Sequence, residues 1–260
     1  MKKTQNTVEQ LAPYFSIVGL SLLWEGAVRF FQVPDYILPA PSQVLIAAYD
    51  VRHLLLVHTG VTLGEALTGL LLSIVVAFVI AMLLHSVTWL YSMVYPLLIL
   101  SQTIPLIILA ILLPLWLGWG ITPKIVIVVL VCFFPIVINL LNGLDEVDPD
   151  QLSLFHSMGA SNLATFFMVK IPAALPSFFT GVRISATYSL MAAVISEWVG
   201  AQRGLGYFMT IKQKAFAIDE VLAAVLVICL ISYLLVKFID WLEYWLIPWN
   251  REYLLQETWN

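Results

Sequence analysis

The chain has 260 residues, 61% of them hydrophobic and 11% charged, with a formal net charge of −4 and a mean hydropathy of +0.96. That balance excludes a soluble domain of average composition, and an acidic charge with no basic tract excludes a nucleic-acid partner. A span needs ~20 apolar residues to cross ~30 Å of hydrocarbon, and the chain holds about six such stretches joined by short connections, which predicts an all-α membrane protein with a single transmembrane domain over residues 1–260.

The N-terminus, MKKTQNTVEQ, starts basic, and the apolar run after it lacks a small-residue cleavage site. This predicts a retained first span over about 11–31. Glu25 and Arg29 lie four apart in the order that favours a helical ion pair, near the end of that span, and read as structural anchors. The proline-rich run 33–42 predicts a turn, followed by an amphipathic segment outside the hydrocarbon. Span two, about 59–84, carries Gly60 and Gly64 in G-x-x-x-G spacing and then Ala77 and Ala81, all sites for close helix packing. Glu65 interrupts it. A carboxylate at membrane depth costs ~2.5–3.5 kcal/mol unless it faces protein or water, so Glu65 is expected in a buried pair or beside a cavity.

Span three, about 90–116, contains Pro96 and the run Ser101-Gln102-Thr103-Ile104-Pro105. Prolines free backbone carbonyls, a break tolerated at membrane depth only where other groups satisfy them, often beside a cavity. Gln102 and Thr103 are therefore translocation-path candidates, with helix-to-helix hydrogen bonding as the other reading. Trp116 and Trp119 flank a glycine turn as interfacial aromatics. Span four, about 125–144, has Pro135 as a kink site and Asn139 and Asn142 on one face, able to hydrogen-bond across helices. Asp145, Glu146, Asp148 and Asp150 read as a solvated acidic face, with contact to a partner protein as the other reading.

A comparatively polar interval follows, with its loop over 150–176. Ser161 can cap a short helix, Pro172 and Pro176 limit helix continuation, and Gly159-Ala160-Ser161 makes a small corner where two backbones can approach. The prediction is helix, turn, helix. In span five, about 178–199, Gly181, Ser185, Ser189 and Ala193 recur every four residues and lead to Glu197. Such a ridge suits tight packing against a second copy of the chain or the lining of a substrate path. The glycine-rich turn 197–207 is no phosphate loop, since no G-x-x-x-x-G-K-[ST] is present. A short segment with Lys212 and Lys214 precedes span six, about 221–245, whose end carries Trp241, Trp245 and Trp249 as an aromatic belt. Cys132 and Cys229 both fall in spans and are expected as buried thiols. The four histidines are dispersed, with neither H-E-x-x-H nor G-x-S-x-G, so no enzyme and no metal site is expected. No internal repeat supports a secondary transporter. Lysines and arginines divide evenly between the two sides, which leaves the orientation open.

Gly159, then after nine residues Val169-Lys170-Ile171-Pro172, continuing through Ala173-Ala174-Leu175-Pro176 to Gly181-Val182-Arg183, resembles the EAA loop of bacterial ABC importer permeases. That family's form is roughly E-A-A-x-x-x-G-x9-I-x-L-P. Ser153-Leu154-Phe155 stand in place of E-A-A, so the glutamate of the motif is missing. Leu38-Pro39-Ala40-Pro41-Ser42 resembles the nitrate, taurine and sulfonate branch. The resemblance implies a type I ABC importer permease (MetI-like) fold in the bacterial inner membrane. It implies ATPase coupling through Leu154, Phe155, Met158, Gly159, Ala160, Ser161 and Leu163. It also implies a second copy of the chain, two ATP-binding cassette ATPase subunits and an extracytoplasmic substrate-binding protein as partners. No cofactor would sit on this chain, ATP and Mg being held by the ATPases. Glu65, Gln102, Thr103, Asn139, Ser185, Ser189 and Glu197 are the candidates for the path. The runs 101–105, 133–136 and 196–201 look most like permeases for thiamine pyrimidine precursors of the hydroxymethylpyrimidine type, with taurine, alkanesulfonate and nitrate importers as the alternative.

Overall fold

The computed structural model describes residues 2–250, with side chains from residue 15 to 249. The described residues form eleven α-helices and no strand: α1 (Lys2–Phe30), α2 (Pro41–Asp50), α3 (Arg52–Ser86), α4 (Thr88–Ser101), α5 (Leu106–Leu117), α6 (Ile121–Asp145), α7 (Pro149–Ser157), α8 (Asn162–Thr165), α9 (Ile171–Glu197), α10 (Leu205–Lys214) and α11 (Ile218–Leu246). Four stretches are long and apolar enough to cross a bilayer: Arg52–Ser86, Ile121–Asp145, Asn162–Glu197 and Ile218–Leu246. The α4–α5 pair makes a fifth if it is one broken span. The first predicted span falls on α1, whose side chains up to residue 14 lie outside the described residues.

Helix α6 is the hub, packed most extensively on α9 and then on α3. Small residues set these distances. A Cβ on Gly181 would lie 2.7 Å from the Pro135 carbonyl and 2.9 Å from the Ile136 Cα, and one on Gly69 would lie 2.5 Å from the Val128 Cβ. Only glycine lets the backbones come this close, and dispersion contacts then hold the helices where lipid supplies no hydrophobic drive. The ridge Gly181, Ser185, Ser189, Ala193 is thus occupied within the chain, against α6, and does not face a second copy. Ser185 Oγ donates to the Cys132 carbonyl at 2.7 Å, while Ser189 Oγ bonds back to Ala186 at 2.8 Å. Gly60 and Gly64, by contrast, have open space around them, so the close approach on α3 comes one turn further on, at Gly69. Ala77 and Ala81 are fully buried as expected, but Cys229 is exposed on α11 while Cys132 is buried.

The prolines act differently from one another. Pro96 and Pro135 lie inside continuous helices, and the break comes only before Pro105, where α4 and α5 meet at 102°. Ser101 Oγ and Thr103 Oγ1 donate to the Leu98 and Leu100 carbonyls at 2.6 and 2.7 Å, so both hydroxyls at the break bond back to the preceding helical turn. Span three is therefore bent sharply rather than straight. Pro172 and Pro176 do not end a helix either: α8 runs through a π-turn at Phe166–Lys170 directly into α9, which carries Pro172 in its first turn and Pro176 inside. A π-turn widens the ladder where Pro172 lacks an N–H and its ring crowds the preceding turn. The predicted loop is accordingly shorter than 150–176, and span five starts earlier.

At one end α2, α10 and the start of α11 close over the helices through Val44, Leu55, Val194, Leu205, Phe208 and Ala223. Glu25 holds α1 to this cap: it pairs with Arg29 at 2.6 Å, accepts from the Ser42 N–H at 3.0 Å, and receives the Ser42 hydroxyl at 2.8 Å. At the other end α7 and α8 project with few contacts to the rest, while Arg183 joins α9 to Asp240 and Glu243 of α11.

Candidate functional site

Two regions carry chemistry. At the projecting end Asp148 caps α7 by accepting the Asp150 N–H at 2.8 Å, and Ser161 caps α8 by accepting the Ala164 N–H at 3.2 Å. Between them Gly159 sits at φ +81°; its N–H donates to the His156 carbonyl and the Ala160 N–H to the Phe155 carbonyl, both at 3.0 Å. This paired bonding is the Schellman ending, which favours glycine at the left-handed position. A Cβ on Gly159 would meet nothing, so within this chain the glycine serves the turn and not a close approach. The expected helix, turn, helix is present.

This turn shows its apolar side chains to the outside: Leu154, Met158 and Leu163 are 59, 76 and 70% exposed, Phe155 is half-buried, and α7 buries no residue. His156 bridges the two helices, with Nδ1 2.7 Å from the Leu152 carbonyl and Nε2 3.0 Å from Asn162 Oδ1. Both ring nitrogens face acceptors, so the Asn162 and Leu152 bonds push its pKa up.

At the opposite end Glu65 and Glu197 are 2 and 1% exposed. Glu65 Oε1 pairs with Lys124 Nζ at 2.7 Å, so of its two expected environments the structure has the buried pair. Glu197 receives the Thr62 hydroxyl at 2.7 Å and the Gly206 N–H at 2.6 Å. Thr62 Oγ1 in turn accepts the Leu205 N–H at 2.8 Å, and His58 Nδ1 accepts the Gly204 N–H at 3.1 Å. The glycine-rich turn is thereby fastened to α3. A Cβ on Gly204 would lie 2.1 Å from the Glu197 carboxyl carbon, and one on Gly206 would lie 2.2 Å from the Val194 carbonyl.

Sequence reasoning found Glu65 and Glu197 but not Thr62, His58 or Lys124. Thr62 lies three residues before Glu65 and so shares its helix face. Lys124, in the first turn of α6, is a cation at the edge of a span and so able to answer a carboxylate in a neighbouring one.

The other path candidates divide. Gln102 and Thr103 stand exposed at the α4–α5 bend. Asn139 is half-buried beside Gly181 and donates to the Pro135 carbonyl at 2.8 Å. Ser185 and Ser189 are wholly enclosed. Among the described residues no group of three or more His, Cys, Asp or Glu could hold a metal ion.

Residues 69–252 match the family described as binding-protein-dependent transport system inner membrane component. The chain is 35% identical to the formylaminopyrimidine transport permease protein ThiX of Halalkalibacterium halodurans over 95% of its own length and 99% of the relative's. It is 31% identical to the riboflavin transport system permease protein RibX of Chloroflexus aurantiacus, over 90% of this chain and 88% of that one. Its fold is like that of a chain in inward-facing conformations of the MetNI methionine ABC transporter, with a TM-score of 0.61 at 20% identity over 74% of this chain and 97% of the other. An all-helical bundle with several spanning helices and a projecting helix-turn-helix agrees with these matches, and the chain belongs to the family of inner-membrane permease components of binding-protein-dependent ABC importers.

Proposed function

We propose that this permease, as a pair of identical chains, carries a small aromatic nitrogen heterocycle of the thiamine pyrimidine-precursor type across the membrane. An external binding protein delivers the solute, and two ATPase subunits drive the step. The observation that carries the coupling part is the exposed set Leu154, Met158 and Leu163 on a helix-turn-helix held in shape by its own caps. Apolar side chains on a rigid, otherwise polar projection suit insertion into a cleft of another protein. Phe155, Gly159, Ala160 and Ser161 complete that surface. ATP and Mg belong to the ATPases, and this chain moves between inward-open and outward-open arrangements in response. Gln102 and Thr103 at the bend are the favoured path residues, with Glu65 and Glu197 bracing one end. The heterocycle reading is supported by two relatives whose names specify a pyrimidine and a flavin.

The test is uptake by membranes containing the permease, its binding protein and its ATPase. A labelled hydroxymethylpyrimidine should accumulate with ATP while taurine does not, and the reverse result moves the assignment to the sulfonate branch. Leu154→Ser/Met158→Ser should abolish ATPase co-purification and uptake while the permease stays monodisperse; retained co-purification would remove this surface as the docking site.

A further inference from the structure

Beyond the transport reading, a cavity of about 460 Å³ lies where the end of α3 meets α7, α8 and the π-turn. Its polar lining is Lys170, Thr165, Asn162, His85, Ser86 and His156, and no carboxylate lines it. Lys170 Nζ donates to His85 Nε2 at 3.1 Å, which leaves two of its three N–H groups free. The Asp145 carboxylate meets the other ring nitrogen of His85 at 3.4 Å. Asn162 gives its carbonyl oxygen to His156, which leaves its NH₂ as a donor. Thr165, 3% exposed, has a buried hydroxyl with no hydrogen-bond partner. A buried unpartnered hydroxyl is costly and calls for a missing partner.

We infer that this cavity is a binding site for a phosphate group. It is lined from three positions by a lysine ammonium, an amide NH₂ and a threonine whose buried hydroxyl lacks a partner. That set matches the several acceptor oxygens and the charge of a phosphate better than any neutral ligand. The volume lies in the range of small-ligand sites, and Phe166, stacked on His85 with centroids 5.9 Å apart, forms an apolar wall beside the charged one. The site lies at the level where the spanning stretches Arg52–Ser86 and Asn162–Glu197 end. A phosphate can therefore arrive there on a phospholipid headgroup or free in solution. Because α7 and α8 form two of its walls, a bound phosphate would brace the projecting turn.

The experiment uses the purified full-length permease in two arms. In the first, native mass spectrometry from mixed micelles of phosphatidylglycerol and diacylglycerol, which lacks the phosphate, reads which lipid stays bound. In the second, thermal unfolding is compared in inorganic phosphate and in chloride of equal ionic strength. Retention of phosphatidylglycerol identifies the lipid source, and a phosphate-specific rise in unfolding temperature identifies the free one. Lys170→Gln should weaken the positive arm about tenfold or more, since a charge-assisted bond is lost. Thr165→Val, which keeps shape and removes only the hydroxyl, should weaken it about fivefold. Lys170→Arg should retain binding and controls for folding. Binding in neither arm, or binding unchanged in Thr165→Val and Lys170→Gln, overturns the inference.

Discussion

The two ends of this molecule are built on opposite principles. The α7–α8 turn is held by bonds between residues two to six apart in sequence, and its apolar side chains point outward. The opposite end is held by bonds that join residues far apart, Thr62 to Glu197 and Lys124 to Glu65, and these two carboxylates and the threonine are buried. A locally closed element keeps its shape whatever happens to the rest, so it can present a surface to another chain. A network closed by distant residues exists only when the helices are assembled, so it reports on their arrangement.

The largest way to break this contrast is Lys124→Met. Removing the ammonium leaves the Glu65 carboxylate buried without its partner, with an expected loss of about 3–5 kcal/mol. Thermal or denaturant unfolding in detergent measures it, and Glu65→Gln/Lys124→Met should recover most of the loss. A single variant as stable as wild type would mean that water already reaches this pair.

A smaller effect separates two glycines that share a positive φ. Gly159→Ala, at φ +81° in open space, should cost only the left-handed backbone penalty of about 1–2 kcal/mol. Gly204→Ala, at φ +114°, also drives a methyl group into the Glu197 carboxylate and should cost more, releasing the 200–206 turn. Hydrogen exchange of the Leu205 and Gly206 amides checks this; equal costs at the two sites would show that the Glu197 clamp yields easily.

The smallest effect is a pH dependence of the projecting turn. Bonds to Asn162 and Leu152 raise the His156 pKa in the folded state. A raised folded value means that the protonated ring stabilises the turn: the contribution is complete below the ordinary histidine pKa and fades as pH rises through the folded one. Exchange of the 156–164 amides should therefore be slower on the acidic side, once corrected for intrinsic rates. His156→Gln should remove the difference.

Hydropathy alone marked the long apolar helices α3, α6, α9 and α11, because bilayer thickness imposes a length and a composition on any helix that crosses it. The turn around Gly159 was equally legible, since its caps are local: Ser161, the glycine and the following apolar run lie within one short segment. Glu65 and Glu197 stood out because a carboxylate in a span demands an answer. What answers them was decided by the tertiary structure, as Lys124 is 59 residues from Glu65 and Thr62 is 135 from Glu197. The same holds for the ridge on α9. Its four-residue period determined that something packs closely there, but that α6 of the same chain does so follows from the fit of Gly181 to Pro135 and Ile136. Proline positions were visible too, yet whether each bends, widens or leaves its helix depends on which neighbours take the freed carbonyls. Pro105 stands at a sharp bend and Pro172 follows a π-turn, while Pro96 and Pro135 lie in continuous helices. Local chemistry thus determined the spans, the caps and the buried charges, and assembly of distant helices decided their partners.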